Sequence, residues 1–195
     1  MILFFDTETI GLPKDYKAPA AMVDNWPRVI QVGWAVYSDA GDLREAHEHI
    51  VKPVKFAIPK EASDVHGITT KRAREEGKDL KKVLTGFAWR VFFADRIVGH
   101  NIDFDIKVLG AECIRKGVTV HLTNRPSTCT MLSSVNHCKL PGKFEGQYKW
   151  PKLTELYVTL FNKELAQSHT ALDDIKATAL CYFELKRLGV IKGDR

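Results

Sequence analysis

Residues 2–9 read Ile-Leu-Phe-Phe-Asp-Thr-Glu-Thr. Four apolar residues in a row, closed by an acid at position 6, have the pattern of a strand buried on both faces. Asp6 and Glu8 stand two apart at its exit. On an extended chain, residues i and i+2 point to the same side, so both carboxylates can reach one spot. The carboxyl ends of strands in open α/β sheets are also where ligands bind.

Outward from this run, residues 28–37 (RVIQVGWAVY) are rich in β-branched and aromatic residues. The turn signal Ser38-Asp39-Ala40-Gly41 follows, then residues 43–51 read as a partner strand, which predicts a hairpin. From Pro59 the pattern turns helical. Leu80, Val83, Leu84, Phe87 and Val91 recur at helical spacing within 78–94. A short strand over 96–99 and an amphipathic helix over 103–116, stopped by Gly117, come next. Residues 125–147 read mostly as loop, with a short buried strand around 128–132. Trp150-Pro151 reads as a packed lead into a helix over 152–161, and a last helix spans 170–188. Strands first, then helices alternating with strands, predict a single α/β domain over 1–195 with a mixed central sheet.

Two further acidic strings fall where elements meet: His100-Asn101-Ile102-Asp103-Phe104-Asp105, between a strand and a helix, and His169-Thr170-Ala171-Leu172-Asp173-Asp174, opening the last helix. Acids in a first turn suit the helix dipole and are aimed off its end. Within each string two acids compete, since Asp103 or Asp105, and Asp173 or Asp174, can serve as a helix cap, and helical spacing does not separate them. Hard divalent cations take oxygen ligands, and two such ions about 4 Å apart clamp the attacking and leaving oxygens of a phosphodiester. A neutral His beside them can take a proton from water.

The motifs DTET (6–9), HNxxFD (100–105) and HxAxxD (169–174) together resemble those of the DEDD-type 3′–5′ exonucleases. The histidine subtype (DEDDh) is the better match; it includes the proofreading epsilon subunit of bacterial DNA polymerase, ribonuclease T and oligoribonuclease. The resemblance spans nearly the whole chain and implies a ribonuclease-H-like fold, a mixed five-stranded sheet flanked by helices. It selects Asp105 and Asp174 within their strings. It further implies that Asp6 bridges two Mg²⁺ ions, with Mn²⁺ able to substitute. Glu8 and Asp174 would serve the nucleophile-side ion, Asp105 the leaving-group side, and His169 would act as general base. Thr7, Thr9, Gly11 and Leu12 would lie beside the terminal nucleotide. The stretch 61–69 (EASDVHGIT) resembles a substrate-contacting segment, with Glu61 and His66 at the terminal sugar.

The bulk properties agree with this. With 195 residues, 45% hydrophobic and 27% charged, the chain is sized for one globular domain. A net charge of +5 favours a polyanionic partner. No P-loop or GxGxxG string is present, which removes those nucleotide-binding modes. Cys129, His137 and Cys138 lack a fourth zinc ligand at standard spacing. Cys113, Cys129, Cys138 and Cys181 form no CxxC pair, there is no signal-peptide pattern, and no apolar run nears the roughly 18 residues of a membrane span. The expected setting is therefore reducing and cytoplasmic. The expected partner is a single-stranded 3′ end, DNA ahead of RNA, with a polymerase as a second candidate and a free-standing enzyme ahead of that. A non-catalytic nucleic-acid-binding module predicts loss of a motif acid or the His, and none is lost. The basic run at 71–74 (KRAR) is expected to be a solvated face, with phosphate tracking as the lesser alternative.

Overall fold

The computed structural model describes residues 1–165 and 170–192. Strands β1 (Ile2–Thr9), β2 (Val29–Tyr37) and β3 (Leu43–Ile50) come first. Helices α1 (Lys60–His66), α2 (Thr70–Glu76) and α3 (Leu80–Phe93) follow, then β4 (Arg96–Gly99) and α4 (Ile102–Lys116). After β5 (Ser127–Cys129) come α5 (Thr130–Ser133), α6 (Val135–Cys138), α7 (Leu153–Phe161) and α8 (Ala171–Arg187). The five strands form one mixed sheet in the order β3-β2-β1-β4-β5. β1 pairs antiparallel with β2 and parallel with β4, and β4 runs parallel to β5. This is the expected five-stranded sheet with flanking helices.

Alternation along β1 assigns its side chains to two layers. Leu3 and Phe5 join Val32, Trp34 and Val36 under α3 and α4. Phe5 meets Phe87 edge-on at 5.1 Å between ring centres. Ile2 and Phe4 face the other way, into a layer with Ile175, Ala179, Cys181 and Leu185 of α8 and Leu156 of α7. Fully burying each such aliphatic side chain is worth about 1.5–3 kcal/mol, so both layers hold the sheet firmly. α8 lies close because residue 33 of β2 is glycine. A Cβ there would stand 2.8 Å from Ile175 Cδ1 and 3.0 Å from Ala171 Cβ.

Several local expectations need correction. β1 does not stop at Phe5 but continues through Asp6 and Glu8 to Thr9, because Asp6 to Glu8 keep their pairing with Gly33 to Gln31 of β2. The expected strand at 128–132 is β5 for three residues and then bends into α5 at Thr130. The caps of α4 and α8 are Asn101 and Thr170, not the competing acids. Trp150 is not packed: it is 64% exposed, although Pro151 beside it is buried. The basic run lies on α2 with Lys71, Arg72 and Arg74 exposed, as expected, and Arg72 pairs with Glu76.

Candidate active site

Asp6 and Glu8 share the face of β1 that looks toward α8, two residues apart as the extended spacing requires. One carboxylate oxygen each from Asp6, Glu8 and Asp174 lies within 4.8 Å of the others. Asp174 arrives there because the start of α8 is fastened to the sheet. The first N–H groups of a helix have no partner inside it. Here Ala171 N–H donates to Gln31 Oε1 (3.1 Å) and Leu172 N–H to Glu48 Oε1 (2.8 Å). Asp173 N–H donates to the cap hydroxyl of Thr170 (3.2 Å), which in turn donates to Asp173 Oδ2 (3.0 Å). Asp173 thus belongs to the helix cap and Asp174 to the acid cluster. Gln31 and Glu48 are contributors that the sequence reading missed.

Asp105 comes from the other layer. It sits in the first turn of α4, only 3% exposed, and accepts a 2.7 Å hydrogen bond from the Thr7 hydroxyl. Its neighbour Asp103 points to solvent, 69% exposed, and pairs with Lys107. Burial separates the two acids of that string, which the spacing did not show.

The electrostatics follow from crowding like charges in a buried place. Burial, then the neighbouring Asp105, Glu8 and Asp174, hold the Asp6 carboxyl well above its usual range. Burial, then Asp174 and Asp105, raise Glu8 to about 8. Burial raises Asp105 to about 7, against the pull of its hydrogen bonds from Thr7. Acids that hold protons this strongly lack a counter-charge. Oxygens this close fit a divalent cation bound at about 2.0–2.6 Å. Mutual repulsion and ligand spacing point to the same occupant.

The remaining expected residues differ in their surroundings. Thr7 is buried, with its hydroxyl committed to Asp105. Thr9 donates to the Gly11 carbonyl (2.6 Å), Gly11 has φ +157°, and Leu12 stands 74% exposed beyond it. His66 is buried at the end of α1, where its Nδ1 accepts from Ile68 N–H (3.1 Å) and burial lowers its pKa. The Thr9 carbonyl opposes that shift, which places the ring beside the end of β1. Its Nε2 has no hydrogen-bond partner among the described residues. Glu61 is exposed in the first turn of α1. His169 lies outside the described residues. His100 is structural: its ring nitrogens meet the Thr130 hydroxyl (3.0 Å) and the Pro151 carbonyl (2.9 Å). A carbonyl only accepts, so Nε2 carries the proton. Among the described residues, no His/Cys group gathers to hold a metal.

A family model described as Exonuclease matches residues 3–182. The chain belongs to the exonuclease family. This bears out the resemblance of its motifs to the DEDD type. Solved structures agree on the exonuclease fold. Exonuclease I of E. coli bound to a dT oligonucleotide superposes with a TM-score of 0.75 at 19% identity, covering 96% of this chain and 41% of that one. A moderately thermophilic Exonuclease I from Methylocaldum szegediense gives 0.73 at 19% identity, covering 95% and 40%. This exonuclease-family chain thus spans about two fifths of the length of those proteins. No curated protein matches it. Among the described residues, no helix is long and apolar enough to cross a membrane.

Proposed function

We propose that this chain is a divalent-metal-dependent 3′–5′ exonuclease on single-stranded DNA that releases 5′-mononucleotides, with 1–195 as one catalytic domain. The observation that supports it most is the convergence of Asp6, Glu8, Asp105 and Asp174 from three separate elements in a family of exonucleases. Asp6 feels Asp105, Glu8 and Asp174 together, so it would be the ligand shared by two Mg²⁺ or Mn²⁺ ions. Such ions, when bound, lower the pKa of water and clamp the attacking and leaving oxygens of the phosphodiester. Glu8 and Asp174 would hold the ion on the attacking side and Asp105 the ion on the leaving side. His169 takes the proton of the attacking water. Thr7 acts through Asp105 as a positioning residue. Thr9, Gly11 and Leu12 border the terminal nucleotide, with Glu61 and His66 turned to its sugar. DNA is favoured over RNA because Exonuclease I, similar in fold, is solved with dT and dA oligonucleotides.

The test is a degradation ladder on matched 5′-labelled single-stranded DNA and RNA with Mg²⁺, using the isolated chain. Stepwise shortening of DNA supports the reading and shows that no polymerase is needed. Preferential shortening of RNA replaces it with an exoribonuclease. Efficient cutting of a closed single-stranded circle would mean an endonuclease.

A further inference from the structure

Residues 139–152 read Lys-Leu-Pro-Gly-Lys-Phe-Glu-Gly-Gln-Tyr-Lys-Trp-Pro-Lys. They form a small, well-tied hairpin. Gly142 N–H donates to the Gln147 carbonyl (2.8 Å) and Lys149 N–H to the Leu140 carbonyl (3.0 Å). Its tip is a turn in which Gln147 N–H donates to the Phe144 carbonyl (3.1 Å) and Gly146 has φ +77°. A type II turn demands that left-handed value at its third position, which only glycine meets without strain.

The hairpin spends its ordering on nothing internal. Phe144 is 62% exposed, Tyr148 44% and Trp150 64%. Tyr148 and Trp150 are two apart, so on extended chain they face the same way. Lys139, Lys143, Lys149 and Lys152 are exposed around them, against the single acid Glu145. Lys149 is engaged by Glu155, which also feels the charge of Lys152, whereas Lys139 and Lys143 form no ion pair among the described residues. Lys143 Nζ stands 5.8 Å from the Phe144 ring centre. A protein-docking face buries an apolar centre depleted of lysine. Aromatic faces interleaved with lysines are instead the composition that stacks bases and tracks phosphates.

Its location favours the same occupant. The Pro151 carbonyl accepts from His100 Nε2 at 2.9 Å. The parallel β1–β4 register ends with Phe4 opposite Val98, and His100 follows directly after β4, at the same end of the sheet toward which β1 carries Asp6. Trp150 is therefore tied, through Pro151, to the loop between β4 and α4, the helix whose first turn carries Asp105.

We propose that this hairpin is a stacking ledge that grips a single strand of DNA just upstream of the nucleotide being removed. The inference rests on the exonuclease reading of the acid cluster and adds to it where the rest of the strand lies. Phe144, Tyr148 and Trp150 offer base-stacking faces, and the free lysines meet phosphates.

The probe is a fluorescent oligo-dT of about a dozen nucleotides, within the span of one such groove. Its affinity for the full chain is read by anisotropy in chelator, and its degradation is read separately with Mg²⁺. Trp150→Ala and Phe144→Ala should each weaken binding roughly 5- to 100-fold, and Trp150→Phe should recover most of it. Lys143→Gln should lower the slope of log affinity against log salt by about 0.7. In the presence of Mg²⁺ the loss should appear in KM and grow with strand length. Trp89→Ala, an exposed aromatic on α3 near Met1 at the start of β1, should bind like wild type. Affinities within twofold of wild type for both alanine variants, in chains that melt normally, would overturn the ledge, as would a salt slope that ignores Lys143. If no strand is shortened with any metal yet binding still depends on Trp150, the nuclease reading fails and the ledge stands.

Discussion

The Thr7 hydroxyl donates a 2.7 Å hydrogen bond to Asp105 Oδ1, joining β1 to the first turn of α4 across 98 positions of sequence. Thr7 is the only side chain between Asp6 and Glu8, and it points into the other layer. It therefore orients an acid that its own strand's acids must meet.

Thr7→Val keeps the shape and removes the donor. A hydrogen bond to a charged, buried group is worth about 1.5–3 kcal/mol. We expect kcat/KM to fall roughly 10- to 100-fold, with more Mg²⁺ needed for half-maximal rate, while Thr7→Ser stays near wild type. A metal titration of the three proteins checks this. An unchanged Mg²⁺ requirement in the valine variant would remove Thr7 from the site's support.

The paired acids should separate cleanly. Asp105→Ala and Asp174→Ala should abolish hydrolysis. Asp173→Ala should cost about 1 kcal/mol of stability through the Thr170 cap. Asp103→Ala should do almost nothing, since an exposed pair such as Asp103–Lys107 contributes about 0–1 kcal/mol. Activity assays beside thermal melts distinguish the two kinds of loss. An inactive, fully folded Asp103→Ala would reverse the assignment within that string.

The raised carboxyl pKa values give a pH dependence with a definite sign. An unfolded chain titrates Glu and Asp at about 4.3 and 3.9, whereas the folded, metal-free site holds Glu8 at about 8 and Asp105 at about 7. Their stabilising effect is therefore fully present below about pH 4 and is lost as pH rises through 7 to 8. Melting temperature in chelator should fall between about pH 5 and pH 9, and saturating Mg²⁺ should remove most of that fall. Protons also compete with metal, so at limiting Mg²⁺ the rate should rise toward pH 8, and excess Mg²⁺ should move this limb to lower pH. Melting curves that run parallel with and without Mg²⁺ would contradict a crowded, cation-binding site.

Gly33→Ala tests the approach of α8. The new Cβ would press on Ile175 Cδ1 and Ala171 Cβ, and such overpacking costs about 1–3 kcal/mol. Because Ala171 opens the helix that carries Asp174, the rate should fall by more than the melting shift alone explains. Normal kcat in a destabilised Gly33→Ala would show that α8 yields without moving its acid.

Periodicity made most elements readable in advance. The all-apolar run before Asp6, the Leu80–Val91 repeat and the short strand 96–99 each have one structural solution. Asp105 could not be told from Asp103 by spacing, because α4 starts at a left-handed Asn101 and its rotation onto β1 is set by the contact with Thr7. Gln31 could have been found: it is a lone polar residue inside an otherwise apolar, fully buried strand. Glu48 could not, since β3 is polar and half-exposed along most of its length. Trp150 misled because a Trp-Pro pair before a helix resembles a packing staple, while the lysines around it carried the opposite message.

The four acids do not belong to one layer of the molecule. Asp105 is held by the packing of α4 under one face of the sheet, and Asp174 by the packing of α8 over the other. The two cores lie on opposite faces of the same sheet, and the distance between their acids measures how well they are aligned. Partial loosening of either core, too slight to register in circular dichroism, would already pull ligands apart. Heat or mild denaturant should thus silence the chain before it unfolds, and bound Mg²⁺, by tying α8 to β1 and α4, would act as a rivet through all three layers.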